Sequence, residues 1–194
     1  MSGAVPEDLL SVAEARALLP QARRIAVIGV SGAGKSTLSV EIARRHGLPH
    51  ISHDRDIRWL PGWQMRDRRE IRRMEEAFAA GESWIMDGTA VSTLAVQLDR
   101  ADLCLWLRPP GWLALWQLAG RVRRYYGTVR PDMAEGCPEP IPDWAFLRYI
   151  WTYEARQSPR ILALLNTHPR RVPTAVLSGR RDIRALLGRG RGRD

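Results

Sequence analysis

Gly29-Val-Ser-Gly-Ala-Gly-Lys-Ser36 decides how the rest of the chain is read. It matches G-x-x-x-x-G-K-[ST] in full, the pattern of a loop whose backbone N–H groups cradle phosphates. Gly29, Gly32 and Gly34 let the backbone take left-handed or crowded conformations and come close to a ligand, and Ser31 and Ala33 complete the loop. Lys35 is the single lysine among 30 Lys and Arg residues. An ammonium is a compact point charge that fits between β- and γ-phosphate oxygens, where the wide arginine fork does not. Ser36 is expected to set its hydroxyl on Mg²⁺. Thr37 either touches the α-phosphate or is a plain first-turn helix residue. The expected ligand is a nucleotide, ATP with Mg²⁺.

The flanks supply the context this loop requires. Arg24-Ile-Ala-Val-Ile28 is a short, mostly β-branched apolar run, as in a buried parallel strand. Thr37 to Arg45 carries Leu38, Ile42 and Ala43 at helical spacing and is stopped by Gly47. A strand, a glycine loop and a helix in that order aim free N–H groups and the positive helix end at one point.

At 194 residues, 45% hydrophobic and 26% charged, the chain fits a globular domain with a proper core. It has no run of 18 apolar residues, and Met1 to Asp8 lacks the basic start and apolar centre of a signal peptide. No membrane partner is therefore expected. Cys104 and Cys137 match no metal-ligand spacing and are expected as free thiols in a reducing cytoplasm. The net charge of +9 invites a nucleic-acid reading. Its arginines, however, are spread along the chain, and the densest group, Arg66 to Arg73, is interleaved with Asp67 and Glu70 as on a solvated helix.

Further strands are expected at His50–Ser52, Ser83–Met86, Leu103–Leu107 and Val172–Leu177, with Pro173 at the start of the last. Helices are expected over Glu7–Leu19, Arg66–Ala80, Val91–Asp99, Gly111–Tyr126, from the Asp143 cap onward to Asn166, and over Arg181–Leu187. Strands alternating with helices mean an α/β fold, here a P-loop fold with five parallel strands flanked by helices. Residues 1–22 are expected as an N-terminal helical extension, 23–188 as the main domain and 189–194 as a basic tail. The proline- and glycine-rich stretch from Gly127 to Pro142 is expected as a loop and is the candidate lid.

In open α/β sheets ligands bind beyond the carboxyl ends of the strands. Those ends carry Asp54 and Asp56 after the second strand and Asp87-Gly88 after the third. Asp87 is the candidate carboxylate for Mg²⁺, against a plain Asp-Gly turn. Asp54 or Asp56 is the candidate acceptor of a proton from an attacking hydroxyl, against ion pairing with Arg55 and Arg58. Arg121 and Arg124, at the end of the helix before the lid loop, are candidates for the charge of a transferring phosphoryl group. One lysine, already used, rules out the guanine-reading N-K-x-D motif, and Asp87 is followed by glycine where many motor ATPases have a water-activating glutamate.

W-L-P-G-W at 59–63, W-I-M-D-G at 84–88 and above all R-P-D-M-A-E-G-C-P-E from Arg130, with F-L-R-Y-I-W from Phe146, carry a resemblance. The chain resembles bacterial DNA topology modulation proteins of the FlaR type, which are similar to adenylate and shikimate kinases. The resemblance implies a nucleotide-kinase core, a lid around Arg121 to Arg160, and an adenine near Ser178-Gly-Arg-Arg181, where Arg181 is the candidate contact. Family members often have Asp-Gly-Asn-Tyr where this chain has Asp87-Gly-Thr-Ala90, so the phosphate acceptor does not carry over. Three readings stand: a small-molecule kinase, nucleotides and nucleosides among its acceptors; an ATP-switched regulatory or DNA-associated protein; and a plain ATPase. The strand-end acids and lid arginines favour the first, and the basic tail leans to the second.

Overall fold

Short apolar runs bounded by glycine and proline supply the sheet, and amphipathic runs between them supply its covering helices. In the computed structural model, residues 5–88 and 91–188 are described. The elements are β1 (Leu9–Leu10), α1 (Val12–Leu18), β2 (Arg24–Gly29), α2 (Lys35–His46) and β3 (His50–Ser52). A π-helical turn over His53–Arg58 leads into a hairpin of β4 (Trp59–Leu60) and β5 (Gln64–Met65). Then come α3 (Arg68–Ala79), β6 (Trp84–Asp87), α4 (Leu94–Leu98), β7 (Leu103–Leu107) and α5 (Gly111–Tyr125). After the lid loop follow α6 (Trp144–Arg156), α7 (Ser158–Thr167), β8 (Thr174–Leu177) and α8 (Arg180–Leu186).

The main sheet is parallel throughout, in the order β1-β8-β7-β2-β6-β3. It has six strands where five are expected. The sixth comes from the N-terminal segment, whose Leu9 and Leu10 pair with Thr174 and Ala175. The helix expected from Glu7 begins only after Ser11, whose side chain and Glu14 form a reciprocal capping box. Two leucines in a row fit a helix or a strand equally, and the bare edge of β8 selects the strand. The single helix expected from Asp143 to Asn166 is two, divided at Gln157, because Pro159 lacks the N–H a continuing helix needs. Asp143 caps the first as expected, accepting from the Phe146 N–H at 2.7 Å. Expectations at Thr89, Ala90 and 189–194 lie outside the described residues.

Strands buried on both faces hold the core, with Ile25 to Ile28, Trp84 to Met86 and Leu103 to Leu107 all essentially inaccessible. Trp84 and Trp106 are core residues, whereas Trp112, Trp116, Trp144 and Trp151 are exposed. With helices on both faces, every parallel strand points its carboxyl end to one edge of the sheet. That edge carries Gly29, the π-helical turn after Ser52, Asp87 and Leu107. No helix among the described residues is long and apolar enough to cross a membrane.

Candidate active site

The phosphate loop leaves β2 at Gly29 and enters α2 at Lys35. Two of its glycines are demanded by neighbouring backbone as well as by a ligand. A Cβ at Gly29 (φ 140°) would lie 2.2 Å from the Leu107 carbonyl oxygen, and one at Gly32 (φ 81°) 2.5 Å from that of Ala114. The loop is thus clamped between β7 and α5. Gly34, the residue before α2, makes no side-chain capping bond. The N–H groups of the first turn, where Lys35, Ser36 and Thr37 lie, are therefore not used by such a cap, as anion binding requires. Ser31 and Ser36 are half-buried, Ala33 buried and Thr37 exposed.

Lys35 donates from Nζ to the Val30 carbonyl at 3.0 Å. Desolvation pulls its pKa below the ordinary lysine value, opposed by the nearby Asp87, Asp54 and Asp132 carboxylates and assisted by Arg121. Four of the groups singled out from sequence therefore share one field: Lys35, Asp54, Asp87 and Arg121. Arg121, one turn from the end of α5, donates to the Ser31 hydroxyl at 3.2 Å and to Glu139 at 2.8 Å. Burial lowers its pKa, and Arg130 adds to the effect, while Glu139 opposes it. Glu139, 3% exposed, also faces Arg130 at 2.7 Å, and Arg130 holds Asp132 at 3.0 and 2.9 Å. This arginine–carboxylate chain joins the lid loop to the phosphate loop.

Asp87 is buried at the end of β6 and meets His50 Nε2 at 3.1 Å. At Gly88 (φ 134°) a Cβ would fall 2.3 Å from His53 Cβ. No side chain fits there, so the missing water-activating glutamate is excluded by packing. The two acids of the π-helical turn separate. Asp56 accepts from the Ser52 N–H at 2.8 Å and from Arg55 Nε and Nη2 at 2.7 and 2.8 Å, an arrangement that closes the turn. Asp54 is half-buried, and its charge is felt at both Lys35 and Tyr149. Arg124 is exposed, with no described contact to the phosphate loop, and Arg181 is exposed on α8. It is Arg180 that faces α5, lying 5.9 Å from the ring centre of Trp116.

The lid loop is more ordered than its proline content suggests. Tyr126 bridges to Glu139 and Val129 to Pro138, and Met133, Ala134 and Cys137 form a small core against Trp59 and Trp63. The Asp132 carbonyl accepts from the Ser52 hydroxyl at 3.0 Å, which seats the loop over β3. His50, Arg130, Asp132 and Glu139 are site residues not singled out from sequence. Arg130, Asp132 and Glu139 stand inside the motif that carries the family resemblance, which was the available signal.

Mg²⁺ takes oxygen donors and is usually bound by one or two protein groups plus phosphates and water. The Ser36 hydroxyl and Asp87 carboxylate fit that donor set. No group of three or more His, Cys, Asp or Glu side chains able to cage a metal occurs among the described residues.

No family model matches the chain, and no curated protein does. Solved structures do. A shikimate kinase from Acinetobacter baumannii is 15% identical with a TM-score of 0.52, over 90% of this chain and 93% of that one. A gluconokinase from Sinorhizobium meliloti is 19% identical with a TM-score of 0.52, over 86% and 90%. A deoxyadenosine kinase from M. mycoides, solved with bound dATP, is 15% identical with a TM-score of 0.55, over 85% and 95%. The chain has the α/β fold of the P-loop kinases, with a parallel sheet flanked by helices. The resemblance to DNA topology modulation proteins rests on its motifs alone.

Proposed function

We propose that the protein is an ATP- and Mg²⁺-dependent phosphotransferase acting on a small molecule that bears a hydroxyl or phosphate. The observation that carries this reading is the reach of Arg121 from the lid base to Ser31, inside the loop that holds Lys35. Two cations from different elements converge where a transferring phosphoryl group spreads its charge, and such transfer is catalysed by positioning and electrostatics.

In this reading the N–H groups of Gly32 and of Gly34 to Thr37 hold the phosphates, the Ala33 N–H being bonded to the Val30 carbonyl, while Lys35 and Arg121 neutralise the γ-phosphoryl oxygens. Ser36 and Asp87 would hold Mg²⁺, which would supply neutralisation of the phosphate charge. Asp54, free of the bonds that occupy Asp56, takes the proton of the attacking hydroxyl. The acceptor oxygen bonds to the γ-phosphorus, the bond to the β-phosphate oxygen breaks, and ADP leaves. The steric closure at Gly88 supports transfer over hydrolysis, since no side chain there can activate water.

An ATP-consumption screen over nucleotides, nucleosides, sugars and duplex DNA, with mass spectrometry of the products, tests this. The expected result is slow hydrolysis alone and faster ADP release with an acceptor that gains a phosphate. If duplex DNA alone raises consumption and no acceptor is phosphorylated, the kinase reading fails in favour of a DNA-associated ATPase.

A further inference from the structure

A cavity of about 720 Å³ lies between α5, the helix that clamps the phosphate loop, and α6, and none of its lining residues takes part in the proposed phosphotransfer. Its walls are two facing stripes. Leu115, Leu118, Ala119 and Val122 line one side, and Trp144, Leu147 and Trp151 the other, with Pro142 closing one end. Each stripe repeats at helical spacing over two turns, which gives an elongated groove about 10 Å long at 1.5 Å per residue. The remaining lining residues are Arg123 and Arg148, both exposed, and neither forms an ion pair with a described carboxylate. Trp144 and Trp151 are 77% and 62% exposed. Single exposed aromatics are ordinary, but a contiguous apolar channel with a charged rim marks a binding site.

We infer that this groove binds a free amphipathic monoanion, a single-chain acyl carboxylate of medium length. The volume falls within the range of small-molecule sites, which are mostly apolar with a few fixed polar groups. An acyl chain matches the apolar stripes, and the rim arginines match its carboxylate, since the lining contains no acid and its neutral polar groups, the indole N–H groups of Trp144 and Trp151, only donate. A protein partner fits less well. Two helical turns of groove are shorter than the 12–15 residues at which an isolated helix becomes even marginally stable, and far below the ~800 Å² per side of a stable interface. The inference is independent of ATP chemistry.

Decanoate, below its micellar range, is the probe. Trp144 and Trp151 fluorescence should change saturably with decanoate, and decanol and decylammonium should bind at least about tenfold more weakly, as the loss of a charge-assisted contact predicts. The double variant Arg123→Gln/Arg148→Gln should lose about tenfold or more in decanoate affinity, while Ala119→Trp, at an exposed position, should abolish binding by filling the channel. Independently of any variant, a diazirine-bearing decanoate should crosslink to residues 115–123 and 142–151 of the unaltered protein. Equal binding of decanol, undiminished binding by Ala119→Trp, or crosslinks confined to other segments would overturn the assignment. So would binding to phosphatidylglycerol vesicles without binding to monomeric decanoate, or a dimer abolished by Ala119→Trp in a protein that ignores decanoate.

Discussion

At Lys35 one physical effect acts with opposite sign on folding and on ligand binding. Burial lowers its pKa below the ordinary lysine value, so the folded protein binds fewer protons than the unfolded chain in the window between the two. Stability contributed by this residue therefore rises with pH across that window. Phosphates restore the lost counter-charge and raise the pKa again, so MgATP binding takes up protons in the same window and weakens as pH rises. Calorimetry in buffers of different ionisation enthalpy should detect the uptake in the wild type and not in Lys35→Met. That variant should also lose roughly ten- to a hundredfold in affinity, the ~1.5–3 kcal/mol of hydrogen bonds to charged groups. Glu139→Gln tests the other cation. It leaves Arg121 and Arg130 without their shared carboxylate, and breaking a buried pair costs about 3–5 kcal/mol. We expect a lower melting temperature and a fall in kcat/KM, the second because Arg121 is no longer aimed at Ser31. A variant that melts lower yet turns over ATP at the wild-type rate would make Glu139 structural alone. Lys35 was legible because its motif is contiguous. Glu139 was not, since its partners lie 18 and 9 residues away in sequence, and only the fold brings charge to charge.

Elements show where a local pattern stops being informative. Gly127 to Pro142 looks like open loop by composition, but its few apolar residues pack under the indoles of Trp59 and Trp63, which sit on and beside the β4–β5 hairpin. The hairpin itself escaped a reading by periodicity because two-residue strands are too short to show one. The acids after β3 were expected at a strand end, and the π-helical turn is what separates them, committing Asp56 to Arg55 and Ser52 while leaving Asp54 toward Lys35 and Tyr149. A lid with its own small core should open and close as a unit, and Cys137 reports on it. That thiol is 1% exposed, donating to the Leu60 carbonyl at 3.2 Å, whereas burial pushes the Cys104 thiol up to about 12 and leaves little reactive thiolate. Alkylation by iodoacetamide should therefore occur at Cys137 through local opening. A non-hydrolysable ATP analogue with Mg²⁺ should slow it about tenfold, equivalent to ~1.4 kcal/mol of added closure, with slower hydrogen exchange over 127–142. Equal alkylation rates with and without saturating analogue would make the segment a fixed structural loop.

Across the whole molecule, alternation of apolar strands and amphipathic helices was enough to specify a parallel α/β sheet, because each βαβ unit announces itself within about 30 residues. The sixth strand was not legible for the opposite reason: its partner lies more than 160 residues away, and the sequence of Leu9 and Leu10 does not name it. That pairing bears on whether residues 1–22 are an appendage or part of the folding unit. The Thr174 N–H bonds to the Asp8 carbonyl at 3.1 Å, the Glu7 N–H to the Asn166 side chain at 3.1 Å, and Arg171 pairs with Glu7. Ala15, Leu19 and Ala22 are buried in the main core, and α1 packs against α8. Removing residues 1–22 would expose this apolar surface, at about 1.5–3 kcal/mol for Leu19 alone, and bare the edge of β8, a template for aggregation. We expect the fragment 23–188 to melt roughly 5–15 °C lower, at about 2–4 °C per kcal/mol for a chain of this size. It should also aggregate more readily on heating. The phosphate loop lies on the far side of β7 from that edge, so whatever fraction folds should still be stabilised by MgATP. Differential scanning calorimetry with and without MgATP separates the two effects. An unchanged melting temperature in the fragment would establish 1–22 as a dispensable extension, and a fragment that folds but ignores MgATP would tie the N-terminal strand to the nucleotide site.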